Sequence, residues 1–143
     1  VTVDTARPFA DQARAQMIVQ SPEAFAAGQP AAMARLAKDP IGRETAATWA
    51  IASDRATMAQ TIHDLMTTDL RPELATIRAP VTVLYAWDPV MNAPPSVADA
   101  LFGNAYAGLP SANLRRIDNS LHFITWDQPE AFAAEVEAFV QAD

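Results

Sequence analysis

Ala79-Pro80-Val81-Thr82-Val83-Leu84-Tyr85-Ala86-Trp87-Asp88-Pro89 is the stretch whose reading decides the fold. Between its two prolines runs a β-branched and aromatic segment, Val81 to Tyr85, without the polar alternation of a half-solvated strand. That pattern predicts a buried parallel strand, ended by Trp87-Asp88-Pro89. Downstream, Pro94-Pro95 opens a helix with Val97, Leu101 and Ala105 on one face, closed by Gly108 and Pro110, and a second strand runs from about Asn113 to Ile117. A helical crossover makes the two strands parallel. Parallel sheets occur almost only with several strands and both faces covered, so one pair predicts either an unusual small α+β unit or further strands from another polypeptide, the latter being favoured. A first residue of Val1 rather than Met is what favours the second polypeptide in that expectation.

Working outward, the loop Asp118 to Thr125 leads to a final helix. Asp127 and Glu130 are spaced as a capping box, and Phe132, Val136, Phe139 and Val140 are expected to face inward. Upstream, from Thr5 to about Thr68, Ala-rich sequence with apolar residues at helical spacing predicts three or four short helices. The first runs from about Pro8 with Phe9, Ala13 and Met17 on one stripe. The second starts at Ser21-Pro22 and is expected to break or kink at Gly28 and Pro30 before continuing through Met33, Leu36 and Ala37. A third carries Ile41, Thr45 and Trp49, and a fourth begins near Ser53-Asp54 with Met58, Ile62, Leu65 and Met66.

The bulk numbers narrow the chemistry. With 143 residues, half of them hydrophobic, one ordinary globular unit is affordable. The 17 acidic and 10 basic residues give a net charge of -7 with no basic run, which argues against a nucleic-acid partner. Without cysteine, and with only His63 and His122, a metal site is not expected, nor is a cofactor. No apolar run reaches the roughly 18 to 20 residues of a membrane helix. The expectation is a soluble protein, cytoplasmic or exported.

From Asp69-Leu70-Arg71-Pro72-Glu73-Leu74 through Val140 the chain resembles the α/β-hydrolases. The lead-in Asp69 to Asp88 is similar to the segment that presents the family's triad acid, and Asp88 matches that acid. The phrase Ile117-Asp118-Asn119-Ser120-Leu121-His122-Phe123 is similar to the loop bearing the triad histidine, and His122 matches it. The resemblance implies the C-terminal portion of an α/β-hydrolase fold over residues 69–143, its sheet completed by an N-terminal chain, with residues 1–68 as a helical lid. Two departures stand out, Ala86 and Leu121 where the family favours glycine; both are tolerable if those turns keep φ negative. A third is that no G-x-S-x-G elbow is present, so the nucleophile is expected on the partner chain.

An acyl-transfer site needs a hydroxyl nucleophile, an imidazole to take its proton and a carboxylate to orient the imidazole. His122 and Asp88, both beyond the carboxyl ends of strands, occupy the places where open parallel sheets bind ligands. Asp88 before Pro89 also has a plain structural reading as a turn initiator. Asp118 is the second candidate acid, otherwise an Asx-turn closing its strand. Asp127 reads as a helix cap and His63 as an ordinary helix histidine. Trp87, Met91 and Trp126 flank the two candidates and are the expected substrate-binding residues, though aromatic and methionine side chains more often fill cores. These readings imply a serine-type hydrolase of carboxylic esters or related acyl bonds acting on a small apolar acyl group. The alternatives are an aspartate nucleophile on the same fold, as in dehalogenases and epoxide hydrolases, or a non-catalytic interaction domain. An N-terminal nucleophile is disfavoured because Val1 has no hydroxyl or thiol.

Overall fold

The computed structural model describes residues 3–142 and gathers them into two compact units, one made of residues 3–33 and 44–70, the other of residues 34–43 together with those from 71 onward. The helical segment is therefore interrupted, because 34–43 folds with the C-terminal part.

The first unit holds α1 (Val3–Val19), α2 (Pro22–Met33), most of α3 (Pro40–Ala52) and α4 (Arg55–Thr67). Helices α1 and α4 pack antiparallel, since partners advance along one as they retreat along the other. Asp11 meets His63 at 3.0 Å, Arg14 meets Gln60 at 2.9 Å, and the Gln20 carbonyl accepts from Arg55 at 2.6 Å. Ala10 and Ala59, each one turn before a bridging residue, are fully closed to solvent. Asp54 caps α4 by accepting from the Thr57 N–H, and Ser21 caps α2 by accepting from Ala24, as the sequence predicts.

Three boundaries differ from expectation. α1 already starts at Val3 and includes Pro8, and α2 runs unbroken through Gly28 and Pro30. Each proline removes only one helical N–H, a loss the rest of the helix carries. α2 then stops at Met33 rather than reaching Ala37, because the backbone beyond it bonds elsewhere: the Leu36 carbonyl accepts from Phe123 N–H at 2.9 Å. In α3 the large residues Ile41 and Trp49 are exposed while Ala46, Ala47 and Ala50 are buried, so the small-residue stripe is the inner one.

The second unit contains a 3-10 turn at Arg71–Thr76, β1 (Thr82–Trp87), a 3-10 turn at Pro89–Met91, α5 (Pro95–Ala105), β2 (Asn113–Asp118), the single turn α6 (Ile124–Asp127) and α7 (Pro129–Val140). β1 and β2 pair in parallel, from Thr82 opposite Asn113 to Trp87 opposite Asp118. Tyr85 and its neighbour Arg116 face α5: the Tyr85 ring stacks on Phe102 at 4.4 Å, its hydroxyl donates to Asp99, and Arg116 donates to both Asp99 oxygens at 2.7 Å. Leu84 and Arg115 face α7, where Arg115 approaches Glu135 at 3.7 Å and Leu84 borders a hollow with Phe132, Val136 and Phe139. The result is a helix, a two-stranded parallel sheet and a helix in three layers, an α/β arrangement that is mostly helical overall.

Of β1 only Tyr85 is fully buried, whereas the sequence predicts a strand buried throughout. The sheet has two strands among the described residues, so one edge of β1 has no neighbour to close it. Val136, Phe139 and Val140 of α7, expected to be buried, are exposed, although Val136 and Phe139 border the hollow beside Leu84. No helix of the described residues is long and apolar enough to cross a membrane.

Candidate functional site

Trp87 and Asp118 end their strands side by side, so Asp88 and Asn119 leave the sheet at the same edge and begin two adjoining loops. In the first, the Asp88 carboxylate accepts from the Val90 N–H at 2.9 Å, which caps the turn Pro89–Met91. Asn92 follows with a positive φ of 53°, and the Trp87 indole N–H donates to the Ala93 carbonyl, closing the loop on itself. Asparagine enters the left-handed region more readily than most residues, which suits it to this reversal.

The second loop is pinned along its length. Asn119 takes a positive φ of 60°, the fully buried Ser120 donates its N–H to the Trp87 carbonyl, and Leu121 N–H donates to Asp127 at 2.8 Å. Neither Ala86 nor Leu121 has a positive φ, so the absence of glycine at either position carries no backbone strain. His122 then projects as an exposed ring that packs edge-on against Phe123 and makes no hydrogen bond among the described residues.

The two candidate residues open on adjoining clefts. His122 lines one of about 520 Å³, walled by Leu84, Trp87, Met91, Leu101 and Phe102. Asp88 lines another of about 440 Å³, with Lys38 and Val90. Met91, Leu121 and Arg35 belong to both. Of the expected substrate-binding residues, Trp87 and Met91 thus share the His122 cleft. Trp126 instead lies against Phe123 at 4.7 Å and over the backbone of Gly42, and it lines neither cleft.

Asp88 and His122 do not touch through a hydrogen bond in this structure. The carboxylate, 7% exposed, is held by the Lys38 ammonium at 2.6 Å, and Lys38 also donates to the Asn119 carbonyl at 3.2 Å. The Lys38 bond, followed by the Val90 N–H, holds the Asp88 carboxyl below the usual carboxylate range. The second candidate acid, Asp118, accepts from Arg116 Nε at 2.6 Å. The nearest serine in the loop, Ser120, is sealed from solvent and donates its hydroxyl to the Leu121 carbonyl, so it is no nucleophile.

Asp127 corrects the sequence reading. Its carboxylate does not cap α7, whose N-terminal Gln128 makes no side-chain cap. It accepts three backbone N–H groups, those of Lys38 at 2.7 Å, Asp39 at 3.0 Å and Leu121 at 2.8 Å. One carboxylate therefore fastens the segment carrying Lys38 to the loop carrying His122. Arg43 adds to this by donating to the Ala37 and Lys38 carbonyls. Lys38 escaped the sequence reading, although it is the sole lysine of the chain, a signal that could have marked it. Among the described residues no cluster of three or more His, Asp or Glu side chains is arranged to hold a metal.

Chemically, the edge offers an imidazole beside an apolar cleft and an ionised carboxylate one loop away, whose lone pairs are at present taken by a lysine and a backbone amide. A histidine in such a place can accept or deliver a proton. No family model, curated protein or solved structure matches the chain.

Proposed function

We propose that this chain supplies the histidine and acid, His122 and Asp88, of a serine-type hydrolase of carboxylic esters or related acyl bonds, the nucleophile coming from an N-terminal chain that extends the sheet. The observation that carries the reading is the exit of both loops at one edge of a parallel pair, with His122 open to an apolar cleft. His122 would take the proton of the incoming hydroxyl and return it to the leaving group. Asp88 would orient the imidazole after exchanging Lys38 for His122. The open edge of β1 and the uncovered apolar face of α7 support a partner that adds strands there. The helices before Asp69 would serve as its lid.

A specific observation favours a second reading, a non-catalytic interaction domain: Asp88 is engaged by Lys38, not by His122. Fluorophosphonate labelling of the assembled protein separates the two. The hydrolase reading expects a labelled serine on a polypeptide bound to this chain, with a labelling rate that falls about a thousandfold or more in the His122→Ala variant. Labelling unchanged by His122→Ala, or absent together with any turnover that depends on His122, favours the interaction domain. An aspartate nucleophile on the partner would instead leave the probe unreacted while haloalkane or epoxide turnover remained sensitive to His122→Ala.

A further inference from the structure

The Asp88 cleft has an unusual charge for so acidic a chain. Three cationic side chains, Arg35, Lys38 and Arg43, line it, against the single carboxylate of Asp88. The nearby carboxylates Asp39 and Asp127 do not line it, and their oxygens are directed to the N–H groups of Gly42, Lys38, Asp39 and Leu121. Lys38 balances Asp88, and Arg43 spends two of its N–H groups on the Ala37 and Lys38 carbonyls. Arg35 makes no hydrogen bond or ion pair among the described residues, so its whole donor fork is open. That guanidinium also borders the adjoining apolar cleft, which meets the charged one at Arg35, Met91 and Leu121.

We propose that the joined clefts bind an anionic amphiphile, a single apolar chain ending in a carboxylate or phosphate. The chain lies in the His122 cleft and the head sits between Arg35 and Arg43. The apolar cleft, about 520 Å³, has the capacity of a small-molecule pocket. Its wall of Leu84, Trp87, Met91, Leu101 and Phe102 offers no charged group to a chain lying along it. An arginine fork suits carboxylate and phosphate oxygens, and its net positive surroundings reject a cationic or zwitterionic head. The inference concerns binding and stands whether or not His122 takes part in turnover.

Nuclear magnetic resonance titrations of the full chain with decanoate, decanol and decyl phosphate, all below micelle formation, test it. Decanoate is expected to saturate with shifts at the Met91, Leu121 and His122 amides and to bind about tenfold more tightly than decanol. In the Arg35→Gln variant that advantage disappears while decanol binds as before, and Arg35→Lys retains part of it. Tighter binding of decyl phosphate than of decanoate assigns a phosphate head. Equal affinity for decanoate and decanol on the unaltered chain, or no saturable binding, overturns the proposal without recourse to any variant.

Discussion

Gly42 illustrates how closely a single backbone position can be packed. A Cβ built there would come within 2.7 Å of the Trp126 ring, so Gly42→Ala must displace either the indole or the first turn of α3. We expect that variant to lose about 1–3 kcal/mol of stability, measured by urea denaturation. At this scale the sequence placed Asp88 and His122 in the loops that leave the two strands, and the structure has them there, because strand ends are legible from local pattern. It hid Lys38 and Asp127, because their contacts span 50 and 89 residues and no local pattern encodes such a distance. Asp127 has the spacing of a cap, and tertiary demand for its oxygens overrode that local role. The left-handed conformation in these loops falls at Asn92 and Asn119, and neither Ala86 nor Leu121 adopts it.

Among the elements, the pairing of α1 with α4 shows what helical periodicity conveys and what it omits. The stripe Met58, Ile62, Leu65 and Met66 located α4 correctly, yet Leu65 is exposed, and the residue closed to solvent on that helix is Ala59. Size explains the outcome, since an alanine on the row between Arg55 and His63 brings the helix backbones close enough for the cross-helix bonds to Gln20 and Asp11. Ala59→Leu should push the helices apart and cost about 1–3 kcal/mol, observed as a lowered Tm with the His63 resonances displaced from their paired positions. Strand β1 was legible for a different reason: β-branched and aromatic residues between prolines leave little alternative to β structure, and β2 followed as the strand its crossover helix leads to. The degree of burial of β1 was not, because that depends on how many neighbours the sheet has.

For the molecule as a whole, acid is the relevant perturbation. Five carboxyls, those of Glu23, Asp54, Asp64, Asp88 and Asp99, are held below their ordinary range by hydrogen bonds or neighbouring cations. Each binds its proton less readily folded than unfolded, so each contributes stability that is complete above the unfolded carboxylate range, about pH 4, and disappears as pH falls through the lowered folded value. Thermal melts from pH 7 to pH 2 should therefore show a Tm that is flat at first and declines once pH drops below about 4. A Tm that rises on acidification would contradict the paired arrangement of these groups. The α/β class was legible because strand, helix and strand follow one another in order. The excursion of 34–43 into the second unit was not, since its sequence reads as a continuation of helix. It is this excursion that delivers the chain's lone lysine to Asp88 and Asn119. Beside the chain's terminal amine, an amine-directed acylating reagent accordingly finds a single side chain to modify, and that side chain is paired with Asp88. Acylation at that one position, mapped by mass, therefore reports on the grip of the acid loop and on no other side chain.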